Sequence, residues 1–253
     1  MNNPYSLEGK TIVVTGASSG IGRQCAIDCS RQGARVVAIA RNQKRLDETL
    51  SLLKGVGHRS YIYDFSDTKG IEDLVASIVT DFGRIGGLIY AAGIEKTSPF
   101  KLLKPGDYNE ILQVNTLSAL EMARQVSNVK NFNKQGGGIA FICSITATIA
   151  RAGTAAYSAS KGALLSASRV LAAELSRRKI RVNCISPGTI LTPMMQNYLS
   201  TLSEEEYNKR IAGFPLGLGE PSDVSLACVY LLSDAARWIT GQNLIIDGGF
   251  TMQ

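Results

Sequence analysis

The chain has 253 residues, 45% hydrophobic and 19% charged, so it can bury a sizeable core and is not expected to be disordered. Its net charge of +6 comes from basic residues dispersed along the chain without a long Lys/Arg run, which argues against a nucleic-acid partner. No stretch approaches the roughly 20 apolar residues of a membrane span, and no apolar leader follows the N-terminus, so we expect a cytoplasmic protein.

Short β-branched runs alternate with longer amphipathic segments along the chain. The expected strands are Thr11–Thr15, Arg35–Ala40, Arg59–Tyr63, Gly87–Tyr90, Ile139–Cys143, Arg181–Ile185 and Leu244–Ile246. The expected helices lie near residues 20–32, 43–54, 68–82, 107–130, 155–178 and 222–233. This alternation predicts an α/β fold in one domain, residues 1–253: a Rossmann-like, doubly wound parallel sheet of about seven strands with helices on both faces.

A glycine-rich turn joins the first strand to the first helix and reads Thr15-Gly16-Ala17-Ser18-Ser19-Gly20-Ile21-Gly22. Such a turn lets backbone amides approach a pyrophosphate at the positive end of a helix. A lone glycine repeat is weak, but here the strand before it and the helix after it are both in place. We therefore expect a dinucleotide to be bound by Gly16, Ser18, Ser19, Gly20, Ile21 and Gly22.

The end of the second strand reads Ala40-Arg41-Asn42, where dinucleotide folds place an acid for a ribose 2′-hydroxyl or an arginine for a 2′-phosphate. The acid is missing and Arg41 is present, which favours NADP over NAD. The alternative is that Arg41 is a solvated residue at the start of a helix. After the third strand, Asp64 and Phe65 are expected beside the adenine, although Asp64 could instead cap a helix starting near Asp67.

Three further residues form a candidate proton donor that needs no histidine, and the only histidine is His58. Tyr157 and Lys161 are four residues apart and so share one helix face, while Ser144 follows the fifth strand. A nearby ammonium should lower the pKa of the Tyr157 phenol, and Ser144 could hydrogen-bond a substrate oxygen. The alternative is an ordinary exposed helical pair.

These motifs together resemble the short-chain dehydrogenase/reductase family, from about Lys10 to Gly249. The shared motifs are the turn at residues 15–22, Asp64, Ala92-Gly93, Asn115, Ser144, Tyr157 with Lys161, Pro187-Gly188, Ile239-Thr240-Gly241 and Asp247-Gly248-Gly249. Where the family usually reads Asn-Asn-Ala-Gly, this chain reads Tyr90-Ala91-Ala92-Gly93. We expect altered hydrogen bonding there without loss of chemistry.

The resemblance implies a role for each matching residue. Tyr157 would be the general acid/base, Ser144 would position the substrate oxygen, and Lys161 would hold the nicotinamide ribose and tune Tyr157. Asn115 would kink its helix and hold a water in a proton relay, unless it is an ordinary mid-helix residue. The remaining cofactor contacts implied by the family are Ala92, Gly93, Pro187, Gly188, Thr192 and the amide of Ile190.

The expected activity is NADP(H)-dependent interconversion of a carbonyl and a secondary alcohol, on a small molecule or on a carrier-bound 3-oxoacyl group. Lys134, Arg177, Arg178 and Lys179 could attract an acidic carrier, or could be solvated helix ends. The segment Thr189–Gly219 is expected to be a flexible flap over the substrate, or else a surface insertion. The resemblance also implies a homotetramer. The alternative function is a nucleotide-binding regulatory or scaffold protein without catalysis.

No metal site is expected, because the cysteines lie scattered in apolar segments and lack a CxxC motif or a histidine partner. They are five in number: Cys25, Cys29, Cys143, Cys184 and Cys228. Buried, reduced thiols are the better interpretation.

Overall fold

The computed structural model describes residues 3–252; residues 1, 2 and 253 of the expected domain, and the side chain of Met194, lie outside the described part. The strands are β1 Thr11–Thr15, β2 Arg35–Ala40, β3 Arg59–Ile62, β4 Gly87–Tyr90, β5 Gly137–Ile142, β6 Ile180–Pro187 and β7 Asn243–Ile246. The helices are α1 Gly20–Arg31, α2 Gln43–Ser51, α3 Ile71–Phe82, α4 Pro105–Leu112, α5 Ser118–Val126, α6 Ala155–Leu175, α7 Pro193–Leu199, α8 Glu204–Ile211 and α9 Pro221–Leu232.

All seven strands form one parallel sheet in the order β3-β2-β1-β4-β5-β6-β7. The predicted α/β fold, with a doubly wound parallel sheet, is confirmed. The strand order reverses at β1, which pairs with β2 on one side and β4 on the other. A crevice opens at the carboxyl ends of the strands at such a switch point, and this is where ligands bind in open α/β sheets.

The core has two layers because alternate residues of each buried strand point to opposite faces of the sheet. In β1, Val13 belongs to the apolar cluster under α3, α5 and α6, whereas Ile12 and Val14 belong to the cluster under α1, α2 and α9. Both clusters are made of buried aliphatic and aromatic side chains. The sheet is therefore covered on both faces, which explains why its central strands read as continuous apolar runs.

The single helix expected over residues 107–130 is divided. A turn of π-helix, Gln113–Leu117, separates α4 from α5. Such a turn inserts a residue into the helical repeat and commonly marks a functional site. The predicted helix over 155–178 is α6 followed by a short 3-10 turn, Ser176–Arg178.

The segment Thr189–Gly219, named here the flap, contains the helices α7 and α8, which the sequence did not predict. Its two ends meet, because Leu191 N–H donates to the Gly219 carbonyl at 2.7 Å and Gly219 N–H donates to the Thr189 carbonyl at 3.1 Å. Near its far end, the Phe214 ring stacks on Phe250 with centroids 4.6 Å apart. The flap is therefore attached to the body at its base and beside the C-terminal turn.

The five cysteines are buried and form no disulfide, as the sequence predicted. None of the helices in residues 3–252 is long and apolar enough to cross a membrane. His58 has a structural role, since its Nδ1 accepts from the Val36 amide at 3.1 Å and its Nε2 lies 3.1 Å from the Lys54 carbonyl.

Candidate active site

A cleft of about 930 Å³ lies over the carboxyl ends of the central strands. It runs from the glycine turn and the end of β2, past the end of β4, to Ser144, Tyr157 and the flap. Apart from the buried Asn115, the candidate site residues predicted from the sequence line this cleft. The fold therefore brings together residues that are spread over most of the chain.

The glycine turn adopts a conformation that only glycine allows without strain. Gly16 has φ +67°, and a Cβ there would lie 2.9 Å from the Ala91 carbonyl oxygen. A Cβ on Gly22 would lie 2.3 Å from the carbonyl oxygen of Gly16. Ser19 is the N-cap residue of α1 but its side chain caps no amide. The first-turn amides thus border the cleft at the positive end of the helix, which suits a pyrophosphate.

At the end of β2, Arg41 lies beside Asp64 in the part of the cleft where the sequence predicts the adenosine, with Nη1 3.8 Å from Oδ2. Both side chains are exposed. Arg45, which the sequence analysis missed, also lines this part of the cleft. The Phe65 side chain is buried in the core against Tyr90, so its place at the cleft edge is that of its backbone.

Asp64 caps no helix. Its Oδ1 accepts from the Ser66 amide at 3.0 Å, while α3 begins only at Ile71 with Gly70 as its N-cap residue. The hydrogen bond from the Ser66 amide is the main cause that holds the pKa of Asp64 below its ordinary value, and the Arg41 charge adds to it. The carboxylate therefore stays ionised at the adenosine side.

The end of β4, where this chain has Tyr90 and Ala91 in place of the family's two asparagines, is held by hydrogen bonds to Thr15 and Val114. Thr15 Oγ1 accepts from the amides of both Ala91 and Ala92, at 3.1 and 3.0 Å. The buried hydroxyl of Tyr90 donates to the Val114 carbonyl at 2.8 Å. A threonine and a tyrosine thus tie β4 to β1 and to the π-turn.

Asn115 lies in the π-turn and is completely buried. Its Nδ2 donates to the Ile94 carbonyl at 2.9 Å and to Ser160 Oγ at 3.0 Å, and its Oδ1 accepts from the Ile94 amide at 2.8 Å. The side chain therefore clamps the loop after β4 to α6. The predicted helix distortion is present at this residue; the water relay stays a prediction.

Tyr157 and Lys161 share one face of α6, as their spacing predicts, with Lys161 Nζ 5.8 Å from the centroid of the Tyr157 ring. Lys161 is buried and donates to the Ile142 carbonyl at 2.7 Å. Its Nζ lies 3.5 Å from the position a Cβ on Gly93 would take. Burial lowers the pKa of Lys161, because a charged ammonium loses its hydration inside the protein.

The predicted lowering of the Tyr157 pKa is wrong for the protein by itself. Burial raises the pKa of Tyr157 above its ordinary value, the Glu95 charge raises it further, and hydrogen bonding with Ser144 offsets only part of this. Desolvation of the phenolate is the main cause, and the Lys161 ammonium donates to a backbone carbonyl. The phenol is thus the stable form at neutral pH.

Ser144 lies directly after β5 and is buried at the cleft wall. Its Oγ accepts from the Thr146 amide at 3.2 Å and from Thr146 Oγ1 at 3.0 Å. These two donors leave the Ser144 hydroxyl proton for another acceptor. Ser144 is therefore placed to donate a hydrogen bond to an oxygen beside Tyr157.

The residues expected around the nicotinamide lie at the end of β6 and the start of the flap. Gly188 N–H donates to the Ile246 carbonyl at 2.8 Å, which fixes Pro187-Gly188 at the sheet edge. Thr192 is the N-cap residue of α7, and its Oγ1 accepts from the Met195 amide at 3.3 Å. Ile190 is buried under the flap base, close to Gly219. The Ile190 amide contact stays a prediction.

Several residues of the substrate end of the cleft, the end beside Tyr157 and the flap, were not predicted from the sequence. They are Glu95, Glu110, Arg151, Lys209, Arg210 and Phe250. None belongs to a short motif, and the fold alone brings them together.

The four cationic side chains considered for docking of a carrier protein do not line the cleft. The Lys179 carbonyl accepts from the Gly137 amide at the start of β5, so this loop is at the amino ends of the strands, opposite the cleft. Arg178 is half-buried and donates to the Ser127 carbonyl, so it is not a solvated helix end. Lys134, Arg177 and Lys179 are exposed, but they do not flank the cleft of this chain.

The residues present fit a dinucleotide. Three glycines, Gly16, Gly20 and Gly22, lie at the turn into α1, and Arg41, with no acidic residue next to it in the chain, follows β2. A phenol, a hydroxyl and an ammonium meet at the inner end of the cleft. Among the described residues, no group of three or more His, Cys, Asp or Glu side chains is arranged to hold a metal ion.

Known proteins are similar to this chain over nearly its whole length. A family model described as enoyl-(acyl carrier protein) reductase matches residues 16–251. D-threitol dehydrogenase of Mycolicibacterium smegmatis is 33% identical, over 98% of this chain and 95% of its own. A 3-oxoacyl-(acyl-carrier-protein) reductase of Salmonella typhimurium is 33% identical, over 98% of this chain and 99% of its own. A solved structure from Beutenbergia cavernae, proposed to be an NAD(P)-dependent gluconate 5-dehydrogenase, has a TM-score of 0.89 at 31% identity and covers 99% of this chain and 100% of its own.

Proposed function

The chain belongs to the short-chain dehydrogenase/reductase family of oxidoreductases, and from this premise we propose that it interconverts a small-molecule ketone and its secondary alcohol with NADP(H). The observation that carries the proposal is the meeting of Ser144, Tyr157 and Lys161 at the inner end of one cleft that begins at the glycine turn. Each of these side chains has a distinct part in a proton transfer coupled to hydride transfer.

The bound nicotinamide supplies or accepts the hydride. In reduction, the Tyr157 phenol donates its proton to the carbonyl oxygen, and Ser144 Oγ donates a hydrogen bond to the same oxygen. The raised pKa of Tyr157 keeps this proton in place at neutral pH. Lys161 holds the nicotinamide ribose through its buried ammonium, and its charge counteracts the phenolate that forms on Tyr157.

Asn115 belongs to this proposal as a positioning residue. Both N–H groups of its side-chain amide are used by Ile94 and Ser160, so it fixes α6 and the β4 loop around Lys161. We propose that the π-turn at Asn115 also holds a water that returns protons to Lys161. Cofactor contacts on the nicotinamide side are assigned to Ala92, Gly93, Pro187, Gly188, Ile190 and Thr192.

The preference for NADP rests on the end of β2. Ala40 offers no carboxylate for a ribose 2′-hydroxyl, while the exposed Arg41 and Arg45 border the cleft. A guanidinium matches a phosphate with two parallel hydrogen bonds. The Beutenbergia cavernae structure contains NADP at low occupancy, which agrees with this choice.

A small ketone is favoured over a carrier-bound acyl group, because the cations considered for carrier docking lie at the opposite edge of the sheet. The names of the relatives cover polyol, sugar-acid and acyl-carrier substrates. The flap lines the substrate end with apolar side chains such as Met195 and Phe214, so a partly apolar molecule fits there.

We also propose that the protein forms a homotetramer. Val170 on α6 and Leu244 and Ile245 on β7 are apolar and exposed, and Trp238 is 90% exposed. Exposed apolar side chains of this kind mark surfaces that another protein covers. Size-exclusion chromatography with light scattering gives the mass, and a monomer would contradict the proposal.

The central test is Tyr157→Phe. Removing the hydroxyl deletes the proton donor, so kcat should fall by about 10²–10⁴-fold while NADPH binding, measured by fluorescence titration, is retained. Tyr207→Phe, on exposed α8, is the matched control. Full turnover in Tyr157→Phe would contradict the proposed role of Tyr157, and tight NADPH binding by the unaltered protein without turnover on any ketone would favour the scaffold alternative.

The cofactor preference is tested with Arg41→Ala. Loss of a charge-assisted contact to the 2′-phosphate should lower kcat/KM for NADPH by about 10- to 100-fold. The ratio of kcat/KM for NADPH to that for NADH should therefore fall. Arg177→Ala, exposed at the opposite edge of the sheet, is the control. An unchanged ratio of NADPH to NADH efficiency would contradict the assignment. A separate comparison of kcat/KM for a carrier-bound 3-oxoacyl ketone and for free ketones tests the proposed preference for a small ketone.

A further inference from the structure

Arg210 on α8 of the flap is held in an unusual way at the substrate end of the cleft. Its guanidinium carbon lies 5.2 Å from the centroid of the Tyr198 ring. Among the described residues, its Nε is the one buried side-chain N or O atom that has no hydrogen-bond partner. An aromatic face supports a guanidinium without using its in-plane N–H groups. The Nε donor of Arg210 is therefore oriented but unused.

A second guanidinium, that of Arg151, lines the same end of the cleft from the loop before α6. Burial lowers the pKa of Arg210, and the nearby positive charge of Arg151 lowers it further. The Arg151 charge also reaches Tyr157, whose pKa it lowers. Two guanidinium groups from separate chain segments thus face one space close to the reacting phenol.

Their charges are not matched by ion pairs. Among residues 3–252, neither Arg151 nor Arg210 has a carboxylate oxygen within 4.0 Å. Glu95 lies near enough to act on Arg210 through its charge, but its Oε1 is 3.3 Å from the Thr97 hydroxyl. Lys209 adds a further cation to this end of the cleft. Placing like charges together without partners costs free energy unless an anion is bound there.

We propose that Arg210 and Arg151 bind an oxyanion, a carboxylate or a phosphate, carried by the substrate whose ketone reacts at Tyr157. This inference rests on the proposed function and names its substrate class: ketones or alcohols that bear an acid group. Charge-assisted, bidentate hydrogen bonds from guanidinium to oxyanion are among the strongest polar contacts in proteins.

The arrangement also ties substrate binding to the flap. Arg210 belongs to the flap and Arg151 to the body of the domain. An anion held by both side chains joins the two parts directly over the reacting group. An acidic substrate therefore closes its own site, whereas a neutral ketone of the same shape lacks this link.

The test compares acids with neutral molecules of the same skeleton: levulinate with methyl levulinate, and dihydroxyacetone phosphate with dihydroxyacetone. The unaltered enzyme should show a higher kcat/KM for the acid of at least one pair, and the pair that responds tells whether a carboxylate or a phosphate is preferred. Arg210→Gln and Arg151→Gln should each lower that ratio of acid to neutral substrate by about 10- to 100-fold, chiefly through KM. Arg177→Gln, far from the cleft, should leave the ratio unchanged.

Calorimetric titration of levulinate and of dihydroxyacetone phosphate gives a second readout that needs no turnover. Weaker binding of either acid to Arg210→Gln than to the unaltered protein supports the inference. Equal efficiency for acid and neutral substrate in both pairs, or a ratio unchanged in both variants, overturns it while the oxidoreductase proposal stands. If no ketone is turned over with either nicotinamide cofactor, the proposed function fails, and the titration alone decides whether the two arginines bind an anion.

Discussion

The inner end of the cleft, where Lys161 is backed by the buried Asn115 and Ser160, differs from the mouth of the cleft, lined by Glu95, Arg151 and Arg210, in how the polar side chains are paired. At the inner end each side chain is hydrogen-bonded to the protein: Asn115 to Ile94 and Ser160, and Lys161 to the Ile142 carbonyl. At the mouth, the two arginines have no carboxylate partner among the described residues.

The contrast follows from what each end has to do. Groups that stabilise charge in a reaction work best when the fold holds them in place beforehand. Groups that choose a substrate must keep donors available for it. We therefore expect changes at the inner end to affect turnover of every substrate, and changes at the mouth to affect selectivity and pH dependence.

The largest effect is expected for Lys161→Met, which removes the buried ammonium but keeps a side chain of similar length. Turnover should fall by about 10²-fold or more for all substrates. The free energy of unfolding, measured by urea denaturation, should be unchanged or higher, because replacing a desolvated charge by an apolar group is often neutral or stabilising. Lys130→Met, on an exposed loop, serves as control. Normal turnover in Lys161→Met would contradict the proposal that the Lys161 ammonium serves the reaction and not the stability of the fold.

A second change, Asn115→Ala, should lower both stability and turnover. It deletes three hydrogen bonds and leaves the Ile94 amide and carbonyl without the Asn115 side chain. At about 1 kcal/mol for each bond, the free energy of unfolding should fall by about 3 kcal/mol. Asn208→Ala, exposed on α8, should have little effect. If urea denaturation finds the two variants equally stable, Asn115 is not the clamp described here.

The smallest effect is expected at the mouth, for Glu95→Gln. Reduction needs the protonated phenol, so the rate falls as pH rises through the Tyr157 pKa. The Glu95 charge raises that pKa; without it the pKa falls, and the alkaline limb of the pH–rate profile should move down by roughly 0.3–1 unit. Glu110→Gln lines the same cleft and is the control. An alkaline limb that stays in place, or moves up, contradicts the assigned influence of Glu95.

Local patterns predicted the sheet well, because buried parallel strands and a glycine turn have strong signals in a short stretch of sequence. All seven predicted strands differ from the observed ones only at their ends or not at all, and β6 extends as far as Pro187. The helix ends were less accurate: Asp67 and Gly70 organise a turn that delays α3 to Ile71. The distortion at Asn115 was predicted by family resemblance, not by helical periodicity.

What the sequence could not predict depends on distance and burial. The spacing of Tyr157 and Lys161 correctly placed them on one face, but it could not show that burial is the main cause that shifts the pKa of Tyr157. Arg151 and Arg210 are far apart in the chain and belong to no motif, so only the fold brings them to one cleft. The helices of the flap were missed because α8 is dominated by charged residues without an apolar stripe.

The closed base of the flap has a consequence for how such a protein can change. Two hydrogen bonds join Leu191 and Gly219, and Gly219 and Thr189, so the segment between them leaves and re-enters the domain at almost the same point. An exchanged segment of different length or composition need not disturb the sheet, since loop length adds little cost once the ends are fixed. Substrate range can thus diversify by swapping this module while the hydride-transfer chemistry beneath it is inherited unaltered.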